Sequence, residues 1–477
     1  MFLPFFCIVF LGLMVISVSA LPENPAILQQ YMFGGSKFDT AMSVQQTGEG
    51  GYIFCGHTQS ENLPGYHGGE ADGLVVKLNT DAGTEWSRCY GGRYYEEFDS
   101  IQETFDGGYI LAGWTRSPDG DLADDFPGYE PDKELSNQWI WIVKLDSAGD
   151  IQWDEVLWTS GITPEDHGHT LSVLQAVDGS FLVTSGEYGS DHWSYAHIYT
   201  LGRDGKLLKH TSIGPQGMNP TSIKQTRDGG YIVSGSTGKC STGADCEDAD
   251  AILIKLDPNF NQQWIDSPRR ENSDEYFYSV EQTLDSGYIA VGKICPYDPY
   301  DRTVLVRRYD STLSLVWEKI YQGSGIMENV AVSVAQSPDG KYIIGGYADS
   351  NDGDFGGNHG GWDGWVAKLG EGGTIIWQKS IGGSAHERFF SMTLTQDNHI
   401  LLAGESRSND GDLGWTIPGG DDAWLVWLET EPPSIEKIIP SPYVPVTGKT
   451  LSLMAYGNAS LDWEITGMKW ELYDKEG

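Results

Sequence analysis

Three short phrases of this sequence hold side chains able to do chemistry. Asp119-Gly120-Asp121, Asp352-Gly353-Asp354 and Asp410-Gly411-Asp412 each set two carboxylates around one glycine. The glycine lets the chain turn tightly while both acids face the same way. Calcium takes about six to eight oxygens from carboxylates, amides and carbonyls. Asp119, Asp121, Asp352, Asp354, Asp410 and Asp412 are therefore candidate calcium ligands. Each phrase supplies only part of such a shell and lacks the longer EF-hand pattern. Asp363 would complete the second phrase, and Asp421 with Asp422 the third. The competing reading is a turn in which Asp or Asn caps its own backbone without metal.

Five tryptophans, Trp114, Trp139, Trp193, Trp362 and Trp415, lie in or beside the same loops. Aromatic rings near Asn and Asp suit carbohydrate recognition; the alternative is that each ring buries its own loop. Five of the ten histidines fall between His167 and His210, and His167 and His169 would point to one side of a strand. They are either a metal pair or polar loop residues. Residues 79–86, NTDAGTEW, resemble the Asp-box of sialidases, with Asn79 in place of the usual Ser or Thr and no equally good copy. That chemistry needs an arginine cluster for the substrate carboxylate, and Arg269-Arg270 and Arg307-Arg308 are the only doublets. The chain has no Gly-x-Ser-x-Gly elbow and no phosphate loop. No catalytic residue is assigned.

The elements that must carry these residues repeat. A Gly-Tyr-Ile phrase or its variant falls at Tyr52, Tyr109, Phe181, Tyr231, Tyr288, Tyr342 and His399, at intervals of 57, 72, 50, 57, 54 and 57 residues. An alternating segment precedes it: SVQQT, SIQET, SIKQT and SVEQT start at Ser43, Ser100, Ser222 and Ser279. A variable loop follows, then a third segment such as WIVKLD (141–146) or AILIKLD (251–257). A fourth carries Trp86, Trp153, Trp264, Trp317 or Trp377. Four antiparallel strands per unit with this period mark a propeller blade. Period-two alternation and Gly-rich turns exclude a helical solenoid. The expected fold is all-β, a seven-bladed β-propeller over residues 21–430.

The last unit stops after its third strand, AWLVWLE (423–429), whereas AILQQYMFGG (26–35) aligns with the fourth-strand segment TIIWQKSIGG (374–383). Residues 27–33 are expected to pair antiparallel with residues 424–429 and close the ring. The recurrent Trp, eight residues after Leu78, Leu145 and Leu369, is expected to pack between neighbouring blades. Unit three departs most, with LQAVDGSFLVTSG and with Lys209 at the Trp position.

Units of this form resemble the β-propeller repeats of secreted and cell-surface proteins of archaea and bacteria, over residues 27–430. The resemblance implies architecture and an extracellular setting rather than an activity. Residues 75–86 and 143–153 also resemble the Trp-docking segments of quinoprotein dehydrogenase propellers, but no residue set identifies a cofactor pocket. Residues 449–477 resemble the first half of a PKD-type immunoglobulin-like domain, Trp470 to Asp474 standing at that family's Trp-Asp-Phe-Gly-Asp-like strand. Tyr473-Asp474 replaces its Gly-Asp pair. Residues 431–477 are read as a linker and a partial Ig-like β-sandwich whose natural chain continues, since a complete one needs roughly 100 residues.

Residues 1–20 carry no charge and end in Val18-Ser19-Ala20, as at a signal-peptide cleavage site; an uncleaved anchor is the alternative. No later apolar run is long enough to span a bilayer. The 68 acids against 30 bases give a net charge of −38, which repels nucleic acid and anionic membranes. The expectation is a secreted or cell-surface binding or adhesion protein with a glycan or protein ligand. Calcium is its only candidate cofactor. No nucleic-acid partner is expected, and no membrane insertion once the signal is removed. A carbohydrate-active enzyme with its site at the propeller centre and a structural envelope component are the alternatives. Cys240 and Cys246 share one polar loop and are expected to be bridged. Cys55, Cys89 and Cys295 are expected to be unpaired core residues, a strand separating the first two.

Overall fold

The computed structural model describes residues 24–123, 125, 135, 138–157, 171–188, 194–239, 247–296, 303–325, 327–413, 420–431, 437–440 and 453–456. The chain divides into residues 27–430 and a second unit of residues 1–26 with 431–477. In the second unit, Lys437–Pro440 pairs antiparallel with Leu453–Tyr456. The signal segment and residues 470–474 lie outside the described residues.

Residues 27–430 form seven four-stranded antiparallel sheets, as the seven refrains predict. Blade 2 is typical: Glu96–Glu103, Tyr109–Thr115, Trp139–Leu145 and Ile151–Leu157. First strands touch the first strands of neighbouring blades around the ring, so they are innermost. Each blade is covered on both faces by its neighbours. The second and third strands are therefore buried almost throughout instead of alternating, while fourth strands such as Ile151–Leu157 keep exposed positions. The apolar core is correspondingly divided into seven main clusters, each shared by two adjacent blades.

The recurrent residues of the refrain have separate jobs. The fourth-strand Trp reaches the next blade: Trp86 meets Tyr109 at 6.1 Å, Trp153 meets Phe181 at 5.6 Å and Trp317 meets Tyr342 at 6.2 Å between ring centroids. This is the inter-blade packing expected from the spacing. In blade 3, Lys209 takes the place of Trp and sets its ammonium 4.9 Å from the Phe260 ring of blade 4. The final Gln of the first strand stitches blades together near the axis. Gln175, Gln225, Gln282 and Gln336 each accept, through Oε1, the N–H of Phe105, Val177, Arg227 or Leu284 in the preceding blade. Gln46 does the same for Gln396 and carries the stitch across the closure. The Lys of the KLD segment is buried, and its ammonium meets the acid of the DGG-type turn: Lys144 to Asp106 at 3.1 Å, Lys368 to Asp339 at 3.0 Å.

The ring closes as expected. Ile27–Phe33 pairs antiparallel with Asp422–Leu428, Phe33 opposite Ala423 and Ile27 opposite Leu428, one residue earlier than 424–429. One register differs more. The second strand of blade 7 begins at Ile400, not His399. Gly404 decides this: a Cβ there would strike the Arg388 carbonyl, as one at Gly113 would strike that of Glu97. Counting back from that glycine places Ile400 where Tyr109 stands. Cys55 and Cys89 are free and buried, with Val75 and Leu74 of the third strand between them, and Cys295 is buried. Cys240 and Cys246 lie outside the described residues.

Candidate functional site

The two faces of the ring are built differently. On one face every turn has five residues, 47–51, 104–108, 176–180, 226–230, 283–287, 337–341 and 395–399 between first and second strands, with 79–83 and its counterparts between third and fourth. Several are capped by an Asx side chain; Asn79 Oδ1, for one, accepts from the N–H groups of Asp81 and Gly83 at 2.9 and 2.8 Å. At the opposite ends of the strands the chain between second and third strands varies most, from five residues between Tyr188 and Ser194 in blade 3 to 23 between Thr115 and Trp139 in blade 2. Variable loops on a rigid frame are where binding concentrates.

The three acid-Gly-acid phrases lie on this loop face and grip the connection that enters their blade. Asp119 accepts the Arg93 N–H at 3.0 Å and its Nε at 2.6 Å, while Asp121 accepts the Gly91 N–H at 2.9 Å. Asp352 accepts from Ser324 N and Oγ at 2.6 and 2.7 Å, and Asp354 from Gln322 N at 2.9 Å. Asp410 accepts from Ser384 N at 2.7 Å and Asp412 from Gly382 N at 3.2 Å. The carboxylates thus cap a neighbouring segment rather than their own backbone. The central glycine is required twice over. Gly120, Gly353 and Gly411 have φ of +69°, +63° and +66°, and a Cβ on each would strike a carbonyl of the gripped segment.

Around two of these grips the ring builds the same triad. His67 Nδ1 lies 2.8 Å from Asp72 Oδ2, and its Nε2 lies 3.8 Å from Asp121 Oδ2. His359 Nδ1 lies 2.6 Å from Asp363 Oδ2, and its Nε2 lies 4.0 Å from Asp412 Oδ2. Asp363, expected to complete the blade 6 phrase, is therefore joined to the blade 7 phrase. Asp72 and Asp363 are buried, and each keeps one oxygen without a hydrogen-bond partner. Burial raises Asp72 above the usual range and holds Asp363 at about 6, although His359 pulls it down. The hydrogen bond to Asp72 raises His67 in turn. At the closure the equivalent position is Asp422, to which no histidine is bonded among the described residues. Burial, then Asp39 and Asp421, push it to about 7.

The sequence signal for these histidines is the doubled His-Gly-Gly at 67–69 and 359–361. A second group missed at that level surrounds the propeller axis on the loop face. The first strand bulges in several blades, and Asp99, Tyr278 and Phe390 stand at the bulges. On one side, Phe38 stacks on His57 at 5.3 Å and Tyr95 donates its hydroxyl to Glu97 at 2.7 Å. Burial and the neighbouring Glu97 charge hold the Asp99 carboxyl well above the usual range. On the other side, Lys293 pairs with Glu328 at 2.9 Å and lies over Tyr276 and Tyr278 at 5.2 and 6.0 Å. Arg388 pairs with Glu405 at 2.9 Å and stacks on Trp362 and Phe390 at 5.4 and 5.3 Å. The signal here is the aromatic-and-charged run before the recurrent Ser: YYEEFDS, DEYFYS and HERFFS.

The loop tryptophans part company. Trp362 belongs to the axial group, next to Tyr347 and His386. Trp114 is 3% exposed and donates its indole N–H to Asp99 at 3.0 Å. Trp139 is half-buried against the core between blades 1 and 2. Trp193, Trp415, His167 and His169 lie outside the described residues. The Arg269-Arg270 and Arg307-Arg308 doublets do not form a carboxylate-binding cluster of their own. Arg270 and Arg307 share Glu275 and Glu318, and Arg308 pairs with Asp285 at 2.5 Å.

No protein-family model matches this chain, and no curated protein does. Among solved structures it is similar to Sqt1 from Chaetomium thermophilum, at 9% identity and a TM-score of 0.44, over 85% of this chain and 99% of that one. It is also similar to Drosophila Plexin A in complex with Semaphorin 1b, at 8% identity and a TM-score of 0.45, over 86% and 88% of the two chains. At these values the likeness carries no argument about activity, and the seven-bladed fold rests on the sheet topology itself.

Proposed function

We propose that this chain is an exported binding propeller that recognises glycan at the axial mouth of its loop face. The observation that supports it is the composition of that mouth. Phe38, Tyr95, Tyr278, Trp362 and Phe390 supply rings, and Glu97, Glu328, Glu405, Lys293 and Arg388 stand between them as hydrogen-bonding groups. Sugars present apolar faces and dense hydroxyls, which such a surface matches. The uncharged first 20 residues and the −38 charge support an extracellular setting. A glycan array probed with the purified protein, with and without calcium, tests the reading. Binding to a defined glycan set that Trp362→Ala abolishes is the expected result. A protein that captures no glycan but docks another protein on this face would replace it.

A second reading, a carbohydrate-active enzyme, draws on Glu97 and Asp99. A carboxyl whose proton burial and a neighbouring carboxylate hold more tightly than usual is an acid-base arrangement. Release of reducing ends from a bound glycan, lost in Asp99→Asn, would favour it.

A further inference from the structure

Blade 3 breaks the pattern of its neighbours at three positions that face one another. Four residues before the end of the third strand, the other blades carry Leu74, Trp141, Ile252, Leu305, Trp365 or Trp424; blade 3 carries His197. In blades 2, 6 and 7 that tryptophan donates its indole N–H to Asp154, Gln378 or Gln30 on the adjacent strand. The corresponding residue of blade 3 is His210, opposite Tyr199. Where Thr58, Thr115 and Ser406 stand in blades 1, 2 and 7, blade 3 has Glu187. Positions that elsewhere serve packing and side-chain hydrogen bonds carry here two imidazoles and a carboxylate.

Strand alternation puts all three on one side of the sheet. His210 Nε2 lies 2.7 Å from His197 Nδ1, and His197 Nε2 lies 4.0 Å from Glu187 Oε2. One ligand atom from each residue falls within 4.8 Å of those of the other two. Glu187 is 9% exposed, and its Oε1 is buried without a hydrogen-bond partner. That oxygen is costly to leave bare, and a cation would satisfy it.

We propose that Glu187, His197 and His210 form a site for a divalent first-row transition ion such as zinc. Two imidazole nitrogens and one carboxylate oxygen are a recurrent three-ligand set for such ions, leaving a position for water or an incoming group. Calcium is the wrong ion here, because it takes its ligands from oxygens. Ligand atoms around a tetrahedral ion stand about 3.3 Å apart. The three ligand atoms lie within 4.8 Å of one another, so the His210 and Glu187 side chains must draw in when an ion binds. Burial lowers His197 to about 4 and also lowers His210, and imidazole binds metal in its neutral form.

The test uses the full chain, stripped with chelator and titrated with Zn²⁺ alone by calorimetry, and with Co²⁺ by visible absorption. One ion per chain and the absorption bands of nitrogen- and oxygen-ligated cobalt are expected. His210→Ala leaves the blade core intact, because its ring is exposed. It is expected to weaken Zn²⁺ by about a hundredfold and to abolish the cobalt bands. Glu187→Gln, which keeps the shape of the side chain, is expected to weaken it as well. Failure of the wild-type chain to bind Zn²⁺, or binding unchanged in both variants, overturns the proposal.

Discussion

The indole N–H of Trp424 donates to Gln30 Oε1 across 3.1 Å, so the last blade is tied to the first strand of the propeller. Gln30 Nε2 continues to the Asp412 carbonyl at 2.8 Å, and Tyr31 reaches Thr84 of blade 1 at 2.6 Å. Closed in this way, blade 7 gains a fourth, outer strand as in the other blades, and Asp422–Leu428 is covered on both edges. Deletion of residues 21–35 is expected to lower the melting temperature of the whole propeller, not merely of blade 7. A calorimetric transition unchanged by the deletion would show that closure contributes nothing.

The inter-blade tryptophans are expected to dominate the stability of their interfaces. Trp317 sits edge-on to Tyr342 and donates its N–H to the Glu371 carbonyl at 2.8 Å. Trp317→Ala should cost about 3–5 kcal/mol, and Trp317→Phe clearly less, because the ring contact survives. Urea unfolding of the two variants beside the wild type measures the difference.

Gly120→Ala is expected to destabilise the chain by about 1–3 kcal/mol, from the positive φ and the collision with the Gly91 carbonyl. Calcium is expected to matter little for the same phrases, since their carboxylates already accept main-chain N–H groups. Melting curves in millimolar calcium and in excess chelator should coincide. A stabilisation in calcium that Asp410→Asn removes would establish the metal reading instead.

The closure acid makes stability depend on pH. Asp422 sits at about 7 in the fold and near 3.8, the ordinary value of an aspartate, when unfolded. Its contribution is therefore fully present below about pH 4 and is lost as pH rises through about 7. Glu96, which burial also holds at about 7, acts in the same direction. Stability should fall between pH 4 and pH 7.5, and Asp422→Asn should flatten that fall. An equal slope in the variant would remove Asp422 from the account.

Arg307 is 2% exposed, pairs with the buried Glu275 at 2.8 Å and reaches Glu318 at 2.7 Å. Arg307→Met should cost about 3 kcal/mol, because it removes the buried partner of Glu275 and leaves that carboxylate only Arg270. Arg307→Met with Glu275→Leu should recover much of the loss. Chemical denaturation of the single and double variants decides whether the pair is needed or only its balance.

Blade number, strand order and the spare N-terminal strand could be read from the linear chain, because each rests on alternation and turn chemistry within a few consecutive residues. The same reading slipped by one at His399, where the local phrase is degenerate and only the approach of Gly404 to the Arg388 carbonyl sets the register. The acid-Gly-acid phrases were equally visible, but not what they hold: Asp119 and Arg93 are 26 residues apart and meet only because the ring lays two connections side by side. Glu187, His197 and His210 are separated by turns and alternate with ordinary strand residues, so no spacing announces them. Periodicity determines which strands form. Which side chains then face one another is decided by how the ring stacks those strands, and the charges, burial and bare oxygens of a site exist only after that stacking.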